Sequence, residues 1–332
     1  MIGWPLRLAA AWRGLVRLLV LASLMAALPG CAWWELKERE LALRPTPGRP
    51  TSLPPDANLF RPGDERWWVP MPVTGHSDKP AETSSAAALH RLTLWWLPNA
   101  APDAPALLYL HGTFRNLYLN LPKIEALRAA GFSVLAVDYR GWGDSTAIVP
   151  SEETIAADAA RAFVELQQRQ SQPGRRVIYG HSMGTAVAVR LAASLRGGGA
   201  DYGALALEAS FTRLPDVARE AGFWGRVLSA FSTLQFDSQS RIERIDAPIL
   251  MLHGSDDRTV PVVLGRRLRD AAAPDGVRWV EVAGGGHSQL HVQAAELYRS
   301  TFAELIARLP LLAPPSTPAT PAGTSTPDTP RP

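Results

Sequence analysis

The chain has 332 residues, of which 46% are hydrophobic and 20% charged, enough apolar material for one large core with appendages. Its formal charge of +3 arises at the N-terminus: Arg7, Arg13 and Arg17 stand among residues 1–30 with no acid, and without them the basic residues equal the 31 acidic ones. The remainder is therefore neutral, which leaves a nucleic-acid partner without support, and a single cysteine, Cys31, excludes an internal disulfide.

In chain order, the three arginines precede an uncharged run from Leu18 to Leu28, too short to span a bilayer comfortably, followed by Pro29-Gly30-Cys31. This pattern reads as an export signal. A sole cysteine at this place resembles the lipobox of bacterial lipoproteins; Leu28 and Gly30 fit, while Pro29 is an unusual occupant of the middle position. The resemblance implies a signal peptide over 1–30, lipidation of Cys31 and anchoring at the periplasmic face of the envelope. The outer membrane is favoured because Ala32, not Asp, follows the cysteine. An uncleaved anchor, or an ordinary signal with an incidental cysteine, is the alternative. Trp33 and Trp34 suit a headgroup interface.

Between Leu43 and Pro62 stand six prolines with no sustained periodicity, so residues 31–60 are expected to form a Pro-rich tether. From 61 to 312 short apolar runs alternate with amphipathic stretches. Leu107 to Leu110, Val134 to Val137, Val177 to Tyr179, Leu205 to Leu207 and Ile249 to Leu252 are nearly continuous apolar runs, as strands covered on both faces require. Ile155, Ala159, Phe163 and Leu166, and later Tyr298, Phe302, Leu305 and Leu309, have helical spacing. The alternation predicts an α/β class with a mostly parallel, doubly wound sheet. Trp67 to Val73 and Leu89 to Leu97 would add an antiparallel edge. Residues 211–245, with Phe223, Trp224, Val227, Leu228, Phe231, Leu234 and Phe236, are expected to be a short helical cap, its apolar side chains serving either core packing or acyl-chain contact. The tail from 313 to 332, almost wholly Pro, Thr, Ser, Ala and Gly, is expected to be disordered.

Chemistry concentrates at Gly180-His181-Ser182-Met183-Gly184, where the apolar run Val177 to Tyr179 turns into the helical stretch from Thr185. This is the setting of a nucleophile elbow with Ser182 as nucleophile. A hydroxyl needs a base within hydrogen-bond reach. Of the seven histidines, His287 follows the last strand-like run on the loop Gly284-Gly285-Gly286, with His291 as competitor; His111, His181 and His253 sit at strand ends and read as structural. An orienting acid is expected after the penultimate strand, where Asp256 and Asp257 compete within His253-Gly254-Ser255-Asp256-Asp257. The oxyanion donors expected are the backbone N–H of Met183 and that of Thr113 in the turn His111-Gly112-Thr113-Phe114. The order serine, aspartate, histidine is that of the α/β-hydrolase fold.

These segments, together with Val137-Asp138-Tyr139-Arg140-Gly141-Trp142-Gly143-Asp144-Ser145 and Phe236-Asp237-Ser238, resemble the α/β-hydrolase-domain proteins that include acyl-protein thioesterases and lysophospholipases. In the related pattern H-G-x-x-D-x-x-V-P the acid falls on Asp257, so the resemblance implies the triad Ser182, Asp257, His287. Asp138 to Ser145 is read as a structural turn without chemistry. Many relatives have Asn after His-Gly where this chain has Thr113; the backbone N–H would still serve. The implied activity is hydrolysis of an ester or thioester, with an acylated or lipid-like substrate and the membrane surface as partners. No metal or organic cofactor is required, and no clustered Cys, His and Asp spacing suggests a metal. A peptidase or amidase, a small-ester esterase, a catalytically silent envelope-binding lipoprotein and a surface adhesin are the other readings.

Overall fold

The computed structural model describes residues 32–309, apart from 55–56, 58, 74–88, 196–200 and 274–275. The expectations for the signal segment 1–30, for Cys31 and for the tail 313–332 lie outside the described residues. One eight-stranded sheet runs through the chain in the order β1-β2-β4-β3-β5-β6-β7-β8. Its strands are β1 (Glu65–Met71), β2 (His90–Leu97), β3 (Ala106–Leu110), β4 (Ser133–Asp138), β5 (Arg176–His181), β6 (Ala204–Glu208), β7 (Ile249–Gly254) and β8 (Val277–Val282). β1 and β2 are antiparallel to their neighbours, and β3 to β8 are mutually parallel. The expected doubly wound sheet and its antiparallel edge are thus both present.

Every residue of β3, β4, β5, β6 and β7 is buried. Because successive side chains on a strand point to opposite faces, each apolar run feeds two cores. Leu108, Leu110, Ile178, Leu205, Leu207 and Met251 face one, together with α3 (Glu152–Arg169) and α4 (Met183–Ser194). Leu107, Tyr109, Val177, Tyr179, Ala206 and Leu252 face the other, with α2 (Leu117–Ala129) and the last described helix (Ala295–Arg308). A sequence with polar residues at alternate positions could not fill both. α3 starts at a capping box in which Ser151 and Thr154 satisfy each other's backbone N–H groups.

The stretch expected as a tether departs from that expectation. Residues 32–43 form a helix, α1, whose last residue, Leu43, is fully buried in the core. Behind it, Pro47 bridges Gly143 in parallel, Gly48 N–H donates to Gly143 O at 2.7 Å, and Asn116 Nδ2 donates to the carbonyls of Thr46 and Gly48 at 3.1 and 2.8 Å. The prolines remove donors from this segment, but its carbonyls still bind the domain. Segment 211–245 is helical in part, with α5 (Leu214–Glu220) and α6 (Phe223–Ser229), and its apolar side chains divide: Leu234 and Phe236 are buried, while Phe223, Trp224, Leu228 and Phe231 are exposed.

The turn after β4 is held by a fully buried ion pair. Arg140 donates from its backbone N–H and from Nε to the two carboxylate oxygens of Asp158, both at 2.8 Å. Burial raises the Asp158 carboxyl to about 6, against the opposing pull of Arg140. Removing one partner strands the other charge in the core, so Asp158→Ala is expected to lower stability by about 3–5 kcal/mol in urea-unfolding curves at pH 7.5.

Candidate active site

The sequence leaves β3 for β4 on one side of the sheet and later enters β5 on β3's other side, so a crevice opens at the carboxyl ends of β3 and β5. Ser182 stands at that point, between the end of β5 and the first residue of α4, with φ 55° and ψ −125°. A non-glycine residue held there stores about 1–3 kcal/mol of strain. Two glycines make the turn possible: a Cβ on Gly180 would lie 2.2 Å from Gly184 O, and one on Gly184 would lie 2.1 Å from Leu110 O. Backbone packs directly on backbone there, and the serine is fixed with its oxygen toward the crevice.

Ser182 Oγ lies 2.9 Å from His287 Nε2, and His287 Nδ1 lies 2.7 Å from Asp257 Oδ2. An ionised carboxylate only accepts, so Nδ1 bears the proton, donates to Asp257 and leaves Nε2 free to accept from the serine hydroxyl. Asp257 Oδ1 accepts the N–H groups of Thr259 and Val260, both at 2.8 Å. Burial raises the Asp257 carboxyl, but hydrogen bonds from His253, His287 and the Val260 backbone outweigh it and hold the group well below the usual carboxylate range. The competitors separate cleanly. Asp256 is exposed and its carboxylate accepts from Ser255 Oγ at 3.2 Å. His291 stands against the ring of Tyr298, their centroids 6.2 Å apart, and has no bond to Ser182 among the described residues.

Two histidines that read as structural brace the hydrogen-bonded set of Ser182, His287 and Asp257. His253 Nε2 donates to Val260 O at 2.9 Å and lies 3.5 Å from Asp257 Oδ2, so it supports the acid from behind. His181 Nε2 donates to the backbone carbonyl of His287 at 3.0 Å, tying the loop after β8 to the end of β5. Burial, aided by the nearby Lys123, lowers His181 well below the ordinary imidazole value and keeps it neutral. The only sequence signals for this bracing are their places, one before Ser182 and four before Asp257.

Ser182 opens on a cavity of about 360 Å³, mostly apolar, lined also by Thr113, Met183, Phe114, Phe211, Pro215, Val217, Leu228 and Val260. Met183 is the first residue of α4, so no carbonyl a turn earlier can take its N–H. Thr113, in the turn after β3, lines the same cavity as Ser182 and Met183. Trp34, Glu38, Leu41 and Ala42 of α1 form another wall, which sequence reasoning missed. Trp34 Nε1 donates to Phe231 O at 3.1 Å, and Glu38 accepts from Ser232 Oγ and, at 2.8 and 2.6 Å, from the N–H and Oγ1 of Thr233. The signal for this wall lay in the hydrophobic spacing of Trp34, Leu41 and Ala42, obscured by the prolines that follow. Among the described residues, no group of three or more His, Cys, Asp and Glu could hold a metal ion.

A sequence model of the Alpha/beta hydrolase family matches residues 107–240. An uncharacterised protein of Mycobacterium tuberculosis is 36% identical over 201 residues, which are 60% of this chain and 68% of that one. The Danio rerio protein named lysophosphatidylserine lipase ABHD12 is 35% identical over 193 residues, 54% of this chain and 50% of its own. The chain thus spans about half the length of the ABHD12 relatives it matches. In fold, it is similar to an esterase of Pyrococcus furiosus (TM-score 0.58, 17% identity, 77% of this chain and 97% of that one). A Vibrio vulnificus alpha-beta hydrolase gives a TM-score of 0.55 at 22% identity over 71% of this chain and 81% of that one.

Two outcomes follow from the geometry. Gly184→Ala drives a methyl group into the Leu110 carbonyl and is expected to cost at least about 3 kcal/mol in urea unfolding. The lowered Asp257 carboxyl contributes stability that is complete above the unfolded carboxylate value near 3.8 and is lost as pH falls toward the folded value. The stability advantage of the parent over Asp257→Asn, measured by urea midpoint, is therefore expected to be constant from pH 7 to 5 and to shrink from pH 4 to 3.

Proposed function

The chain belongs to the alpha/beta hydrolase family, and from that membership we propose that it is a serine hydrolase that cleaves an ester or thioester of an acylated, lipid-like substrate. The observation that supports this reading most directly is the unbroken hydrogen-bond path from Ser182 through His287 to Asp257, opening on an apolar cavity. Ser182 Oγ attacks the acyl carbonyl carbon as His287 Nε2 takes its proton. The N–H groups of Met183 and Thr113 receive the negative charge that develops on the carbonyl oxygen. When the tetrahedral intermediate collapses, the bond from the acyl carbon to the leaving oxygen or sulfur breaks, and His287 returns its proton to the leaving group. Water, deprotonated by His287, then cleaves the acyl-enzyme and restores Ser182. Asp257 remains ionised throughout and keeps the imidazole in the tautomer that accepts at Nε2.

Support for the substrate class comes from the cavity and from the relatives. Apolar side chains from α1, α5 and α6 surround an opening sized for an acyl chain rather than a folded peptide. The Danio rerio relative is named a lipase and the Pyrococcus furiosus neighbour an esterase. The proposal includes a lipid anchor on Cys31 after removal of residues 1–30, which would hold the domain at the envelope membrane. Among the described residues no helix is long and apolar enough to cross a membrane.

Ser182→Ala is expected to abolish covalent labelling by a fluorophosphonate probe and hydrolysis of p-nitrophenyl esters; labelling that persists in this variant sinks the assignment. Asp257→Asn keeps the nucleophile but loses the tautomer, so kcat for p-nitrophenyl butyrate is expected to fall by about four orders of magnitude.

A further inference from the structure

The apolar side chains that the core leaves out are concentrated on the roof of the Ser182 cavity. Trp33 and Leu41 of α1, Phe223, Trp224 and Leu228 of α6, and Phe231 just beyond it are all more than half exposed, at 53–74%. Phe223 and Trp224 pack edge to face on each other at 5.3 Å rather than on the sheet. The two helices lie far apart in sequence but form one surface, because Trp34 donates to Phe231 O and Glu38 takes the donors of Ser232 and Thr233. That surface is continuous with the site: Leu41 and Leu228 are exposed and also line the cavity that holds Ser182. Contiguous apolar exposure on this scale marks a surface that meets an apolar partner.

We propose that the joined outer face of α1 and α6 is the surface by which the enzyme docks on a phospholipid bilayer, so that an acyl chain passes from the membrane into the cavity without crossing water. The chain outside the described residues identifies the occupant. Cys31, the residue proposed above to carry the lipid anchor, immediately precedes α1, so the anchored end of the processed chain enters the fold at this face. Aromatic rings at Trp33, Phe223, Trp224 and Phe231 are the side-chain type that partitions to the headgroup level. The docking proposal rests on the hydrolase reading above and adds the presentation of its substrate.

Phe223, Trp224 and Phe231 do not line the cavity, so substituting them removes the surface and spares the site. In the full chain, F223S/W224S/F231S is expected to lower turnover of a long-chain acyl ester held in phosphatidylcholine vesicles by about tenfold or more, while kcat/KM for dissolved p-nitrophenyl butyrate stays within about twofold. Equal loss on both substrates, or no loss on vesicles, overturns the docking proposal. A parent dimer that the substitutions split, with vesicle turnover unchanged, identifies a second copy of the chain as the occupant and overturns it as well. A parent that hydrolyses neither substrate and escapes fluorophosphonate labelling overturns the hydrolase reading and the docking proposal with it. Independently of folding in the triple variant, vesicles of brominated phosphatidylcholine are expected to quench tryptophan fluorescence in the parent and to quench W224F measurably less; equal quenching overturns the proposal.

Discussion

The contact on which the site depends is backbone against backbone where β5 turns into α4. Gly180 meets the carbonyl of Gly184, and Gly184 meets the carbonyl of Leu110 on β3, at separations that leave no room for a Cβ. This closeness seats the first turn of α4 on the ends of two central strands, and it is what holds Ser182 at a positive φ. Strain of this kind persists only where the surroundings over-determine it. Here the surroundings are five strands buried along their whole length, with cores on both faces. The placement of the serine oxygen, and of the Met183 N–H one residue on, follows from that packing.

Around this point the buried charges are sorted by the partners they find. Asp257 and Asp138 are both buried aspartates at strand ends, yet they stand in opposite states. Asp257 receives His287, two backbone N–H groups and the nearby His253, and stays ionised. Asp138 receives the Leu117 N–H, and burial pushes its carboxyl up to about 8, while burial pushes the adjacent His111 down to about 4. Burial thus disfavours the charged form of both members of the His111 and Asp138 pair. Below the histidine loop, Glu208 is buried but accepts from Tyr179 at 2.6 Å and Tyr298 at 3.0 Å and pairs with Lys123. A charge in this interior survives only with such company.

The cavity wall shows a different physics. Its floor is made by the segments that follow β3, β5, β6 and β7, but its roof is assembled from α1 and from α5 with α6, elements separated by about half of the chain and joined by a few polar bonds around Glu38 and Trp34. The roof's exposed rings, Trp33, Phe223, Trp224 and Phe231, lie beside the cavity that Ser182 lines.

What the sequence by itself determined is what short-range pattern can encode. Continuous apolar runs in Leu107 to Leu110 or Ile249 to Leu252 fit strands covered on both sides, and Gly-His-Ser-Met-Gly between a run of that kind and a helical stretch fits a tight turn. Ser182, and the candidate pairs Asp256/Asp257 and His287/His291, could be singled out because each follows a strand end, where the doubly wound sheet gathers loops at one edge. Tertiary structure decided the rest. It placed His287 rather than His291 against Ser182, gave His181 and His253 their bracing bonds, and divided the cap's apolar residues between core and surface. It also turned the start of a Pro-rich stretch into a wall of the site, with Leu43 buried behind it. Those outcomes depend on which distant segments come into contact, and hydrophobic periodicity within a segment holds no record of the partner that will cover it.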